Sequence, residues 1–328
     1  MFIKGIGLGL PREKVVLGPE FLKDKTYFEK EKQVSFFRAD RNDTPFTLAC
    51  RAVEDALRKC GIRAMDLDAV IFADSLIKDY QQWSLSAALC NHFKISKKMF
   101  LDVYHGCNLL PTIELAKFVL DSNKSFKNII VVTSRVLPPA LGNLEDVDRG
   151  AVLSDGACAV ILSREAGSYE VLSLVIDYEA ELCGLYNLPY GGTELLKDFR
   201  GIPKWDIAKL KDEFAGGRAN FDDFFFVPKK KNIADGLAKA HVKTKDISWL
   251  VMPNYCRYYL SASLESFPHI PSERTSADTG MKFSHMGAGD VLINLSDMDP
   301  HIAPGDLVFV NPDGVGFTFG SMVLRKIC

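Results

Sequence analysis

No two cysteines in this 328-residue chain are spaced CxxC, although there are eight, at positions 50, 60, 90, 107, 158, 183, 256 and 328. Scattered thiols in a chain of this length read as reduced and cytosolic, because a disulfide frame belongs to short chains with paired spacing. The six histidines form no HExxH or equivalent, so no metal site is expected. No window approaches about 18 consecutive apolar residues, which excludes a membrane-spanning helix. The opening MFIKGIGLGLP is too short and too glycine-rich for a secretory leader. An excess of one charge is also missing: 40 Lys and Arg stand against 42 Asp and Glu, a net charge of -2. That argues against nucleic acid or an anionic membrane as partner. The expectation is a cytoplasmic protein that binds no metal and no resident cofactor.

What is present is a run of short apolar strands separated by helical patterns. Phe2–Leu10 alternates apolar residues with glycine and ends at Pro11, as a strand with close backbone neighbours would. Its GxGxG is not a nucleotide loop, since Pro11 follows and no helix opens. Pro45–Cys60 carries a helix pattern through Leu48, Ala52, Ala56 and Leu57, closed by Gly61. Residues 68–74 form a buried strand, and 82–93 form a helix that includes Trp83. Residues 127–134, 155–163 and 170–177 give further core strands. Residues 179–231 read as a long irregular stretch, of the kind usually tied to function. Within it Phe224–Phe226 could line a tunnel or simply join the core, and Lys229–Lys231 reads as a solvated face.

The segment around Cys107, DVYHGCNLLPTIELAKFVL, stands apart. A strand (99–103) enters a Tyr-His-Gly-Cys turn, and a helix pattern follows with Ile113, Ala116 and Leu120 on one stripe. Gly106 lets the chain bend sharply. A cysteine at a helix start meets free N–H groups that favour a thiolate, the form that attacks carbonyl carbon. The competing reading is a buried cysteine acting as a small hydrophobe.

The chain also repeats itself. DLDAVIFADS answers KDISWLVMPN, KNIIVVTSR answers GDLVFVNPD, and GACAVILSR answers FGSMVLRKI. The expected division is residues 1–168, holding the cysteine, and 169–328. Near-continuous apolar strands need both sheet faces covered. Two such halves with helices between them predict an α/β body in five layers, α/β/α/β/α.

These segments resemble the thiolase-like superfamily, and within it the 3-oxoacyl-carrier-protein synthase III group. DVYHGC is similar to that family's nucleophile turn, RGAVLSDGACAVIL to its central strand motif, and GDLVFVNPDGVGFTFGSMVLRK to its C-terminal glycine loop and last strands. The resemblance implies Cys107 as acyl acceptor, with its own N–H and the Gly314, Val315, Gly316 loop as oxyanion donors. It also implies an acyl-carrier-protein or coenzyme A thioester as substrate, and a homodimer built on the strand Asn128–Thr133.

The departures from the family matter as much. The family's Cys-His-Asn set has its histidine where MPNYCR here places Asn254. Its asparagine falls where SHMGAGD places His285, and Asp290 stands where a small serine is usual. The family's Trp-Ile-x-x-Arg-Thr-Gly segment, which helps hold coenzyme A, is missing between Leu22 and Arg41.

From the residues themselves, His285 is the best base, in a glycine-rich turn ahead of an apolar helix pattern. Asn254 could hold a substrate carbonyl or orient His285. Asp290 could fix the histidine tautomer or cap the following helix. His105, Trp83 and Phe224 are candidate pocket residues. With its departures from the Cys-His-Asn set, the chain looks closer to related enzymes of this fold that transfer an acyl group without condensing carbon. That resemblance implies, as the leading expectation, an acyltransferase that moves an acyl group through an acyl-cysteine onto a hydroxyl or amine. Its setting would be specialised-metabolite, fatty-acid or polyketide assembly. The runner-up is a decarboxylating condensing enzyme, and a third reading is a non-catalytic partner subunit. Lys78, Arg218 and Lys229–Lys231 offer charge to an acidic carrier.

Overall fold

The computed structural model describes residues 1–17, 34–74, 78–80, 82–137, 151–184, 218–314 and 317–328, with the side chains of 218–222 outside that set. The strands in chain order are β1 (Phe2–Gly9), β2 (Glu13–Val16), β3 (Ser35–Arg38), β4 (Ala69–Asp74), β5 (Met99–Tyr104), β6 (Asn128–Arg135), β7 (Gly156–Ser163), β8 (Tyr169–Tyr178), β9 (Trp249–Val251), β10 (Leu307–Val310), β11 (Asp313–Gly314) and β12 (Thr318–Lys326). The helices are α1 (Pro45–Cys60), α2 (Leu85–His92), α3 (Leu110–Ser122), α4 (Arg218–Ala240), α5 (Arg257–Ser266), α6 (Ser276–Thr279) and α7 (Asp290–Met298).

The main sheet runs β5-β4-β6-β7-β1-β8-β12-β10-β9, with β11 paired to β12. Its first five strands and its last four form two leaves, joined where Phe2 and Ile3 of β1 pair with Glu170 and Tyr169 of β8. Helices α1 and α2 cover the outer face of the first leaf, and α4 covers the second, with α5 against it. Between the leaves lie α3, touching β4 and β6 on one side and β8 and β12 on the other, and α7, touching β1, β7 and β9. This is the thiolase-like α/β/α/β/α arrangement.

The sequence shows why the leaves are sandwiched. Ile129 and Val131 of β6 join the inner core with α3 and α7, while Ile130 and Val132 join the outer core with α1. A strand's two-residue period sends alternate side chains to opposite faces, so an unbroken apolar run serves two cores at once. The glycines of β1 fit the expected close approach. A Cβ on Gly7 would fall 2.1 Å from the Ala52 carbonyl oxygen of α1. Helix α1 begins at the Thr44–Thr47 capping box with Pro45 in its first turn, and it ends at Gly61 with φ of 62°.

Two expectations change here. Residues 218–231 are helical: α4 runs through Pro228, because burial of Phe225, Lys229 and Ile233 on one side outweighs the lost donor. Residues 185–217 of the expected irregular stretch lie outside the described residues. The strand Asn128–Thr133 cannot carry a dimer contact, because β6 is bonded to β4 and to β7 along its length. Among the described residues the edge of the first leaf is β5, which pairs there only with β4 and exposes Phe100 and Tyr104.

Candidate active site

Cys107 lies in the turn between β5 and α3, after Gly106 with φ of 57°. The helix starts later than its pattern suggested, at Leu110, so the thiol sits three residues ahead of it. Asn108 fills the gap. Its Oδ1 accepts from Leu110 N–H at 3.0 Å, and its Nδ2 donates to Thr318 Oγ1 at 3.1 Å, tying the turn to β12 of the other leaf. Gly314 closes on the same turn: a Cβ there would lie 2.5 Å from Asn108 N and 3.0 Å from the His105 carbonyl oxygen. Only glycine allows that approach. Val315 and Gly316 lie outside the described residues.

His285 arrives from the second half. Its Nε2 stands 3.3 Å from Cys107 Sγ, and its Nδ1 donates to Asp290 Oδ2 at 2.6 Å. The carboxylate is held in turn by Met286 N–H at 2.6 Å and Asn254 N–H at 2.8 Å. Asp290 is buried at the first residue of α7, so its charge faces the imidazole with little water to screen it. Of the two roles open to Asp290, the structure places it on the imidazole, and no side-chain cap forms at that helix end.

Burial of His285 pulls its pKa down, but the Asp290 carboxylate and, more weakly, Cys107 override this and raise it to about 9. With Nδ1–H fixed on Asp290, Nε2 is left facing the thiol. The backbone is clamped as well: His285 N–H donates to the Val152 carbonyl at 2.8 Å, and Ser154 N–H donates to the His285 carbonyl at 2.9 Å.

Of its two expected roles, the Asn254 side-chain hydrogen bonds fit the orienting one. Nδ2 donates to the Ser284 carbonyl at 2.8 Å, and Oδ1 accepts from Asn294 Nδ2 at 2.8 Å. Ser284 has φ of 57°, a sparsely populated conformation for a residue with a Cβ. The Asn254 amide and the Ser284 Oγ–H bond to the Ser35 carbonyl, at 2.9 Å, hold it there. Asn254 therefore shapes the backbone that delivers His285. Asn108 and Ser284 had no sequence signal beyond adjacency to the reactive residues, and Asn294 had none.

The pocket candidates also shift. Trp83 packs edge-on against Phe46 and Tyr80 on the outer layer. Phe224 is 38% exposed, whereas its neighbour Phe225 is buried with Tyr259, Phe317 and Phe319 at centroid distances of 5.6, 6.0 and 5.5 Å. Next to that cluster, the Tyr255 ring stands edge-on to His285 at 4.9 Å. His105 packs against Tyr178 at 6.4 Å, and burial lowers its pKa. Lys229 is no solvated residue: it is fully buried on Asp313. Lys230 and Lys231 are exposed, each beside a carboxylate. Lys78 lies 3.7 Å from Asp102, and the Arg218 side chain and the segment between Leu22 and Val34 lie outside the described residues.

Comparison with known proteins supports the thiolase-like fold. The family model for the 3-oxoacyl-[acyl-carrier-protein (ACP)] synthase III C terminal matches residues 237–326. The beta-ketoacyl-[acyl-carrier-protein] synthase III of Aquifex aeolicus (strain VF5) is 23% identical, over 98% of each chain. The synthase of the same name from Chlamydia caviae is 24% identical, over 85% of this chain and 82% of its own.

Among solved structures, the acyltransferase ChlB3 superposes with a TM-score of 0.86 at 20% identity, covering 99% of this chain and 97% of its own. The Aquifex aeolicus synthase superposes with 0.78 at 20% identity, covering 99% of both. The chain has the thiolase-like fold and is similar in sequence, at 23–24% identity, to these synthase III proteins.

Proposed function

We propose that this protein is an acyltransferase working through an acyl-Cys107 thioester. The observation that carries this reading is the Asp290–His285–Cys107 relay, combined with an Asn254 amide committed to Ser284 and Asn294. The Cys107 thiolate attacks a thioester carbonyl, and the new C–S bond forms as the carbonyl π pair moves to oxygen. Cys107 N–H and the Gly314 turn are the donors offered to that oxyanion. The pair returns, the donor thiolate leaves, and the His285 proton goes to it.

Acylation removes the thiolate charge that helped hold the proton on His285. Neutral Nε2 then takes a proton from a hydroxyl or amine as it attacks the acyl carbon. The C–S bond breaks, Cys107 leaves as thiolate, and the imidazolium faces it again. A buried carboxylate behind the histidine supports a base of this kind. The donor is a thioester of a carrier protein or coenzyme A, with the carrier favoured because the coenzyme A-gripping segment is missing between Leu22 and Arg41. The residues act as one unit across a chain divided at about 168/169. A homodimer would join through β5.

A second reading, decarboxylative condensation, is favoured by the names of the curated relatives, which are synthases. It requires two donors around an enolate oxygen, and Asp290 would repel a malonyl carboxylate. The test offers acylated enzyme a malonyl thioester in one tube and hydroxyl or amine acceptors in another. An ester or amide retaining the whole acyl group is expected. Carbon dioxide together with a β-keto thioester would replace this proposal with condensation.

A further inference from the structure

Lys229 on α4 is a fully buried cation. Its Nζ donates to Asp313 Oδ2 at 2.6 Å and to the Tyr259 carbonyl at 3.1 Å, and it stands 5.4 Å from the centre of the Phe225 ring. Desolvating both partners of such a pair costs about as much as their attraction returns, and apolar replacements are often as stable. Global stability is therefore a poor reason for placing a Lys–Asp pair here.

Its position gives a better reason. Asp313, 3% exposed, directly precedes Gly314, whose backbone lies against the Cys107 turn. The Asp313 carbonyl accepts from Tyr255 Oη–H at 3.3 Å, and the Tyr255 ring packs on His285. Asp313 thus joins the outer helix α4 through its carboxylate, and the glycine turn and Tyr255 beside the base through its backbone.

We propose that Lys229 and Asp313 are positioning residues that hold the Asp313–Gly314 strand end where it can serve the oxyanion formed at Cys107. The assignment rests on the acyl-transfer reading above. A displacement of about 1 Å at such a site can cost 10²-fold in rate. The pair should matter for reactions that pass through an oxyanion and not for those that only need the thiolate.

The experiment compares two reactions of Cys107 in the full chain: acylation by an activated thioester such as acetyl-N-acetylcysteamine, and alkylation by iodoacetamide, which forms no oxyanion. The variants are Lys229→Met and, to avoid stranding a buried charge, the double variant Lys229→Met with Asp313→Leu. Folding is followed by circular dichroism, and the double variant decides if the single one fails to fold. Acylation is expected to fall by about 10²-fold, with alkylation within about threefold of wild type. Wild-type acylation in the double variant, or an equal fall in both reactions, overturns the assignment. A wild type that takes up no acyl group from any thioester overturns the acyl-transfer reading first and this assignment with it.

Discussion

The two halves of the molecule are built on one plan and end in different chemistry. In each, a helix closes into a left-handed residue, Gly61 with φ of 62° or His241 with φ of 56°. Matching hydrogen bonds follow, from Leu67 N–H to the Ala64 carbonyl and from Ile247 N–H to the Thr244 carbonyl. A parallel pair comes next, β4 with β6 or β9 with β10, then an antiparallel return through β7 or β12. The turn ahead of the inner helix carries Cys107 before α3 in one half and His285 before α7 in the other. Equivalent positions thus supply a sulfur and a nitrogen 3.3 Å apart.

The halves differ at the edge. The first carries a full strand, β5, while the second keeps a single bridge, Leu250 with Thr275. Among the described residues, only the first half offers a continuous edge strand for pairing with a second copy.

If the two turns are not equivalent in importance, substitution will show it. The largest effect is expected at Cys107→Ala, which should abolish uptake of acyl mass from an activated thioester in intact-mass analysis. A label mapping to Cys158 or Cys256 would move the nucleophile elsewhere. His285→Ala should slow transfer by roughly 10²–10⁴-fold, measured by product formation, and normal turnover would return it to a structural role.

Asp290→Asn sharpens the comparison further, because it leaves the shape and removes the charge. Transfer should fall by about 10²-fold, and the His285 pKa should drop from about 9. Its raised pKa also makes His285 a source of stability in the folded state. That contribution is complete below its ordinary value of 6.5, and it is lost as pH climbs through about 9. Thermal unfolding across that window should show the loss in wild type and a flatter profile in Asp290→Asn.

Asn254→Ala should destabilise by about 1–3 kcal/mol, since it strands the Ser284 carbonyl and the Asn294 amide. Acylation should remain measurable in the folded fraction; complete loss would make its amide catalytic after all. The smallest effect belongs to Thr44→Ala at the start of α1, far from either turn, at about 1 kcal/mol in denaturant unfolding.

Much of this was legible in the sequence, because period and punctuation are local. The α1 pattern with its closing glycine, the apolar strands and the internal repeat needed only neighbouring residues. Cys107 and His285 stood out for the same reason, each in a glycine-bearing turn ahead of an apolar helix. Asn254 stayed open between two roles, and Lys229 did not read correctly, because their partners are remote. An asparagine beside a reactive residue looks the same in sequence whether its amide faces substrate or, as here, a carbonyl 30 residues away. A lysine in PKKKN looks solvated until Asp313, 84 residues on, is folded beneath it. The interior place of β6 was hidden likewise, since strand order is a property of the whole sheet.

The clamp on His285 also sets an order of events. Its backbone is bonded to Val152 and Ser154, and its ring meets a thiol 178 residues earlier in the chain. During synthesis Cys107 emerges long before the histidine that faces it, and contacts of such long sequence separation form late in folding. Reactivity should therefore switch on with the closing of the second leaf onto the first. A newly made or half-made chain would carry Cys107 without the histidine that serves it.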